Sequence, residues 1–275
     1  AIQDYDYKGE MYNVDTCKVN LCVTPNHRMF TGSCHRKNYR IQEAKDIYGQ
    51  MRSYVNNIEE WEGSWGRGYN SKEVLEYKDL RKNSKFLSQK KDKFILPGYE
   101  ELPDLELDLE MWCLFFGIWM AEGSCNIMYY ESGSIRTRCV NIAANKQRVK
   151  DQLEKCMESF GIKWNMHMSR GELVSWYCSD KRLIYYLKPL SVGATNKKLP
   201  KWCFKLDKKY SRNLIDGMVL GDGHYMEYKG TVATTRYDTS SIKLRNDFQK
   251  LCVHAGWGCN QYLKEASIKT VLKKD

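Results

Sequence analysis

Apolar and polar residues alternate near the start of the chain. Tyr12, Val14 and Thr16 take every second position, and so do Val19, Leu21 and Val23. A period of two belongs to a strand with one covered face, so two such runs flanking Cys17-Lys18 predict a β hairpin. Thr24 to His27 then reads as a turn, because Pro25-Asn26 is a turn dipeptide. Residues 57–104 carry no such period. Glu62-Gly63-Ser64-Trp65-Gly66-Arg67-Gly68 is a loop by its glycines, and Lys82, Lys85, Lys90, Lys91 and Lys93 form a basic stretch. It reads either as a solvated linker or as an arm that contacts a polyanion.

From residue 105 the pattern repeats. Two apolar runs predict helices, with Asp108 and Asp207 placed to cap their N-termini. Stretches rich in Tyr, Thr, Arg and β-branched residues follow, Tyr129 to Ile142 and Tyr225 to Tyr237, and predict strands. Each copy then has a helical stretch closed by glycine: Gln147 to Phe160 before Gly161, and Ser241 to Ala255 before Gly256. The first copy continues with about two strands and a helix before Pro200. Copy two reads as short of a strand or a helix.

The two apolar runs say nearly the same thing. One is Phe115-Phe116-Gly117-Ile118-Trp119-Met120-Ala121-Glu122-Gly123; the other is Ile215-Asp216-Gly217-Met218-Val219-Leu220-Gly221-Asp222-Gly223. Gly117 with Ala121, and Gly217 with Gly221, stand at i and i+4, on one face of a helix. Small residues there leave a strip on which a second helix can approach until backbones touch. Glycine inside a helix costs about 1 kcal/mol relative to alanine, so the pairing implies a packing reason. If the helices pack side by side and parallel, Glu122 and Asp222 arrive together at one end. Adjacent carboxylates repel and are stabilised by a shared cation, and such oxygen ligands suit Mg²⁺.

Composition adds a partner. The chain of 275 residues has a formal net charge of +10 and 13% aromatic residues, a balance that favours a polyanion, nucleic acid above all. Its 11 cysteines form no CxxC pair, and the cluster Cys17, Cys22, His27, Cys34 and His35 fits no usual zinc spacing. An odd number of scattered cysteines implies reduced thiols in an intracellular protein, in the nucleus or cytoplasm. The longest apolar run, Met111 to Ala121, is far short of the roughly 20 residues that span a bilayer.

The paired motifs resemble those of the LAGLIDADG homing endonucleases, in the single-chain form with two copies. Met120 and Glu122 depart from the family pattern, the glutamate keeping the charge but adding a methylene. The resemblance implies an α+β fold of two pseudo-symmetric αββαββα units forming a DNA-binding saddle, units 105–206 and 207–275, the second apparently incomplete. It implies a monomer that hydrolyses both strands of double-stranded DNA, with Mg²⁺ held by Glu122 and Asp222. Lys197, in Lys197-Lys198-Leu199-Pro200, matches the catalytic lysine of intein-type members, with Lys198 its neighbour. Candidates for DNA contact are Arg136, Arg138 and Lys198 in copy one, with Lys229 and Arg236 in copy two. A lysine of the second unit would fall near Lys269.

The segment 1–56 resembles the N-terminal half of an intein (Hint) splicing domain, small and all-β, on Tyr7-Lys8-Gly9, Met11-Tyr12, Val23 to Phe30 and Ala44 to Ile47. There Thr24 and His27 match the Thr-x-x-His pair that polarises the scissile peptide bond. Ala1 is no nucleophile, and Leu272-Lys273-Lys274-Asp275 lacks a terminal His-Asn, so the chain as given is not expected to splice. Residues 57–104 link this segment to the repeat. Two other readings stay open: a maturase-like or regulatory DNA- or RNA-binding relative without nuclease activity, and a fragment of a protein-splicing element.

Overall fold

In the computed structural model, which describes residues 6–16, 19–57, 61–63, 88–90, 92–143, 146–228 and 231–264, the alternating start of the chain folds as a hairpin. β1 (Tyr12–Asp15) pairs antiparallel with β2 (Asn20–Val23), setting Tyr12 opposite Val23 and Val14 opposite Leu21. β3 (Arg28–Ser33), β4 (Arg36–Glu43) and β5 (Arg52–Tyr54) form a second sheet in the order β4-β3-β5, with the one-turn helix α1 (Ala44–Ile47) between β4 and β5. Their core is small: Met29, Ala44 and Ile47 are buried, and Tyr12, Leu21, Val23 and Tyr54 pack on them. Phe30, Ile41, Tyr48 and Met51 remain exposed.

The chain divides into two compact units, Ala1–Asn57 with Trp257–Asp275, and Ile58–Gly256. The last stretch, expected to continue the second repeat, therefore groups with the N-terminal segment. A Cβ on Gly258 would stand 2.5 Å from the Asn56 Nδ2, which shows how closely the two meet.

In the larger unit, β6 (Ser88–Lys90), β7 (Lys93–Leu96) and β8 (Leu105–Asp108) make one sheet. Phe94, Ile95 and Leu96 are buried, and Phe94 stacks on Trp112 at 4.5 Å. The expected linker 57–104 thus ends in core structure, because an apolar triplet beside a partner strand is worth more covered than wet. Lys82, Lys85 and Lys91 of its basic stretch lie outside the described residues.

The order from residue 109 is α2 (Leu109–Glu122), β9 (Gly123–Tyr129), β10 (Ile135–Ala143), α3 (Gln147–Phe160), β11 (Asn165–Ser169), β12 (Glu172–Cys178) and α4 (Lys181–Leu187). Short 3₁₀ turns at Lys188–Leu190, Ala194–Asn196 and Lys201–Lys205 lead to α5 (Lys208–Asp222), β13 (Gly223–Tyr228), β14 (Thr231–Tyr237) and α6 (Ile242–His254). The fold is mixed α+β, with six helices and several small sheets among the described residues. Strands β11-β12-β10-β9 form a four-stranded sheet; β13 and β14 form a two-stranded one.

Local chemistry fixes the helix ends. The Asp108 carboxylate accepts from the Glu110 and Met111 N–H groups at 3.0 and 3.1 Å, and Asp207 accepts from Tyr210 at 2.9 Å. Gly161, at φ +62°, closes α3 in the left-handed conformation that glycine adopts without strain. Around α2 lies the aromatic core, Trp112, Phe115, Phe116 and Trp119, with buried Trp202 donating to the Tyr186 hydroxyl at 2.6 Å.

Candidate active site at two helix ends

α2 and α5 pack backbone to backbone through the glycine strip. A Cβ on Gly117 would lie 2.7 Å from the Met218 nitrogen, a distance real Cβ atoms do not reach. Any larger residue would push the helices apart. The helices end together: the Asp222 charge acts directly on Glu122. Burial raises the Glu122 pKa, the neighbouring Asp222 carboxylate raises it further, and Lys146 and Lys197 pull it back down.

Lys197 is aimed by its neighbours. Leu199 is buried, and its N–H donates to the Asp247 carboxylate at 2.8 Å. The Ser241 hydroxyl donates to the Lys197 carbonyl at 2.6 Å. So held, the Lys197 ammonium donates to the carbonyls of Met120 at 2.6 Å and Ala121 at 3.2 Å, at the negative C-terminal end of α2. Burial lowers its pKa, while Asp222 and Glu122 raise it. Lys198, next in sequence, is exposed. A cavity of about 240 Å³ opens beside this group, lined by Lys197, Asp222, Tyr237, Thr239 and Ser240.

A second cation was not legible in the sequence. Lys146, at the start of α3, donates to the Gly221 carbonyl and stands 4.0 Å from the Glu122 carboxylate. Arg148, two residues on, donates to the Gly223 carbonyl at 3.2 Å and lies over the Tyr225 ring. Only a residue-by-residue overlay of the two copies would have marked Lys146, because it occupies the helix-cap position that Ser241 fills in copy two.

The other candidates are divided by the pleat. In the four-stranded sheet Cys125, Val140, Ile142, Trp176 and Cys178 are buried and in register. Arg138 shares their face, and its guanidinium donates to the Tyr185 hydroxyl of α4 at 3.0 Å. Tyr185 in turn stacks on Tyr99 at 4.4 Å. Arg138 is therefore held on the helical side of the sheet rather than on its open face. Period two decides this: Asn126, Thr137, Cys139, Asn141 and Tyr177 alternate with the buried set and take the open face. Arg236 is exposed opposite His224 and pairs with Asp238 at 2.8 Å. The Arg136 side chain and Lys229 lie outside what the structure describes, as does Lys269.

Thr24 and His27 form a turn. The His27 N–H donates to the Thr24 carbonyl at 3.0 Å, and the Thr24 hydroxyl donates to the Asn26 side chain at 2.8 Å.

Among the described residues no three His, Cys, Asp or Glu side chains gather as a metal cage. The carboxylate pair alone is the donor set that suits Mg²⁺, which takes one or two carboxylates and leaves its other positions to water and phosphate. No described helix is long and apolar enough to cross a membrane.

No family model matches the sequence. The chain is 26% identical over 307 residues to the DNA-directed RNA polymerase subunit beta C-terminal section of Stigeoclonium helveticum, covering 96% of this chain and 26% of that protein. It is 28% identical over 262 residues to an ATP-dependent Clp protease proteolytic subunit of Chlamydomonas moewusii, covering 93% of this chain and 24% of that protein. The chain thus spans about a quarter of the length of these relatives.

Proposed function

We propose that the chain is a site-specific, Mg²⁺-dependent endonuclease of the LAGLIDADG homing type, cutting both strands of double-stranded DNA as a monomer. In this reading the N-terminal segment derives from an intein-like splicing domain. The observation that carries it is the junction of two glycine-packed helices ending in Glu122 and Asp222, with Lys197 beside them.

The relatives add a second support. One chain matches, over nearly its whole length, a quarter of a polymerase subunit and a quarter of a protease subunit. Those names share no chemistry, so the match favours neither activity for this chain. A segment common to unrelated hosts is what an inserted element leaves behind.

In the reaction a water oxygen bonds to phosphorus and the bond to the leaving sugar oxygen breaks. Bound Mg²⁺ would supply the lowered pKa of that water and neutralise the leaving oxygen. Glu122 and Asp222 would hold it. Lys197, anchored on two helix carbonyls, offers a fixed positive charge toward the phosphate oxygens, so little reorganisation is needed as charge develops. The open face of the four-stranded sheet, with Asn126, Thr137 and Tyr177, offers neutral donors and acceptors for base edges, and Arg236 offers a charged donor on the smaller sheet.

The rival is a binding protein of the same fold that does not cut, favoured by the longer Glu122. Selection of cleaved sites from a randomised DNA pool with Mg²⁺ separates the two. The proposal expects cutting at one long, weakly palindromic site. It further expects Asp222→Asn to abolish cleavage while band-shift affinity stays within about threefold, since affinity comes from phosphate and base contacts. Specific binding by a wild-type protein that leaves the pool intact would replace this proposal with its rival.

A further inference from the structure

Each motif helix carries an ammonium group on its final carbonyls, and the two lysines come from unrelated places in the sequence. Lys197, from the loop before α5, sits on Met120 and Ala121 at the end of α2. Lys146, from the start of α3, sits on Gly221 at the end of α5. Lys197 lines the cavity with Asp222, whereas Lys146 lies 4.0 Å from Glu122.

Lys146 is a poor choice for its own helix. It holds the N-cap position of α3, and its side chain makes no capping bond there. Ser, Thr, Asp and Asn suit that position, and a positive charge opposes the helix dipole. The matching cap of α6 is Ser241, whose hydroxyl accepts from the Leu244 N–H at 3.2 Å. A local rule broken in one copy and kept in the other marks a residue retained for another purpose. The Lys146 side chain is also 46% exposed, so its ammonium is accessible to a ligand at the helix ends.

We propose that Lys146 is the second catalytic cation, contacting the scissile phosphate of the strand on the Glu122 side while Lys197 serves the strand on the Asp222 side. This rests on the nuclease reading and adds to it a division of labour between strands. Lys146 neither gives nor takes a proton in the step. Its charge offsets that on the non-bridging oxygens as the water oxygen bonds to phosphorus, and the proton reaches the leaving oxygen through solvent.

The test uses the full chain and a duplex carrying the selected site, each strand end-labelled with a different dye, in Mg²⁺. Wild-type protein cuts the two strands at comparable rates. Lys146→Gln slows one strand by about 100-fold, the scale of losing one preorganised charge or donor, and leaves the other within a few-fold. Lys197→Gln shows the opposite strand bias, and Lys146→Arg restores most of the lost rate. Equal slowing of both strands by Lys146→Gln, or none, overturns the assignment to Lys146 and leaves the nuclease reading intact. A wild-type protein that cuts neither strand overturns both. Melting temperatures of the variants separate a loss of charge from a loss of fold, and a collapse of the Lys146→Gln fold that Lys146→Arg does not rescue also counts against the proposal.

Discussion

Gly117 and Gly217 face each other where α2 meets α5: a Cβ built on Gly217 would stand 3.0 Å from the Gly117 Cα. That contact sets the separation of the two helices, and with it the separation of the two carboxylates at their ends. Packing geometry and site geometry are the same quantity here.

The first prediction follows from this contact. Glycine to alanine in an open helix stabilises by about 1 kcal/mol. Gly217→Ala should do the reverse, because the new methyl meets backbone that cannot move aside. Overpacking of this kind costs about 1–3 kcal/mol, equivalent to a fall in melting temperature of roughly 3–10 °C for a chain of this size. A rise in melting temperature by calorimetry would mean the helices are not in backbone contact.

The second prediction concerns the carboxylate pair in chelator. Burial and the Asp222 charge raise the Glu122 pKa in the folded state above its unfolded value. The folded protein therefore loses stability as pH climbs from the ordinary carboxylate range through that raised value. Glu122→Gln has no such loss. At neutral pH in EDTA it should melt about 2 °C higher than wild type, an advantage that shrinks toward pH 4. Equal melting curves at both pH values would remove the repulsion from the account.

How much of this was legible beforehand depended on whether a residue's role is local. The caps Asp108 and Asp207, the closing Gly161 and the N-terminal hairpin follow from nearest neighbours, and the structure has them where the pattern put them. The glycine strip was legible because two copies repeat it. Arg138 was misplaced because side-chain direction depends on the pleat, and a strand's register against α4 is not written in its composition. Lys146 was missed because its partners, Glu122 and Gly221, are distant in sequence and nothing near it demands a lysine. Phe94 to Leu96 were hidden in a polar stretch whose partner strand, β8, begins beyond a loop.

The third prediction concerns the two units. Glu122, Asp222, Lys197 and Lys146 all fall within Ile58–Gly256. A protein of residues 58–256 should keep Mg²⁺-dependent cutting at the selected site, within about tenfold of the full chain. A smaller slope of log affinity against log salt would report that the N-terminal segment touches phosphates in the full chain. If the shortened protein folds but no longer cuts, the small β unit is part of the catalytic machinery.

The last prediction concerns His254, which is only 7% exposed. Its ring stacks on Trp61 at 4.1 Å and meets the edge of Phe204 at 6.1 Å, and its Nδ1 finds no partner among the described residues. Trp61 is itself fixed, its indole N–H donating to the Leu206 carbonyl at 2.8 Å. Burial lowers the His254 pKa, and the Lys250 ammonium one turn earlier lowers it further. An unfolded histidine takes up a proton near pH 6.5, whereas the folded one resists until the solution is more acidic. The unfolded state therefore gains protons first, and stability falls as pH drops below that value. His254→Phe keeps the stack and has no proton to gain. The drop in melting temperature between pH 7.5 and pH 5.5 should be smaller in the variant by roughly 2–4 °C. Carboxylates elsewhere titrate alike in both proteins and cancel in the comparison. Parallel curves for the two proteins would mean that the buried ring is protonated as readily folded as unfolded, and that the Trp61 stack tolerates the charge.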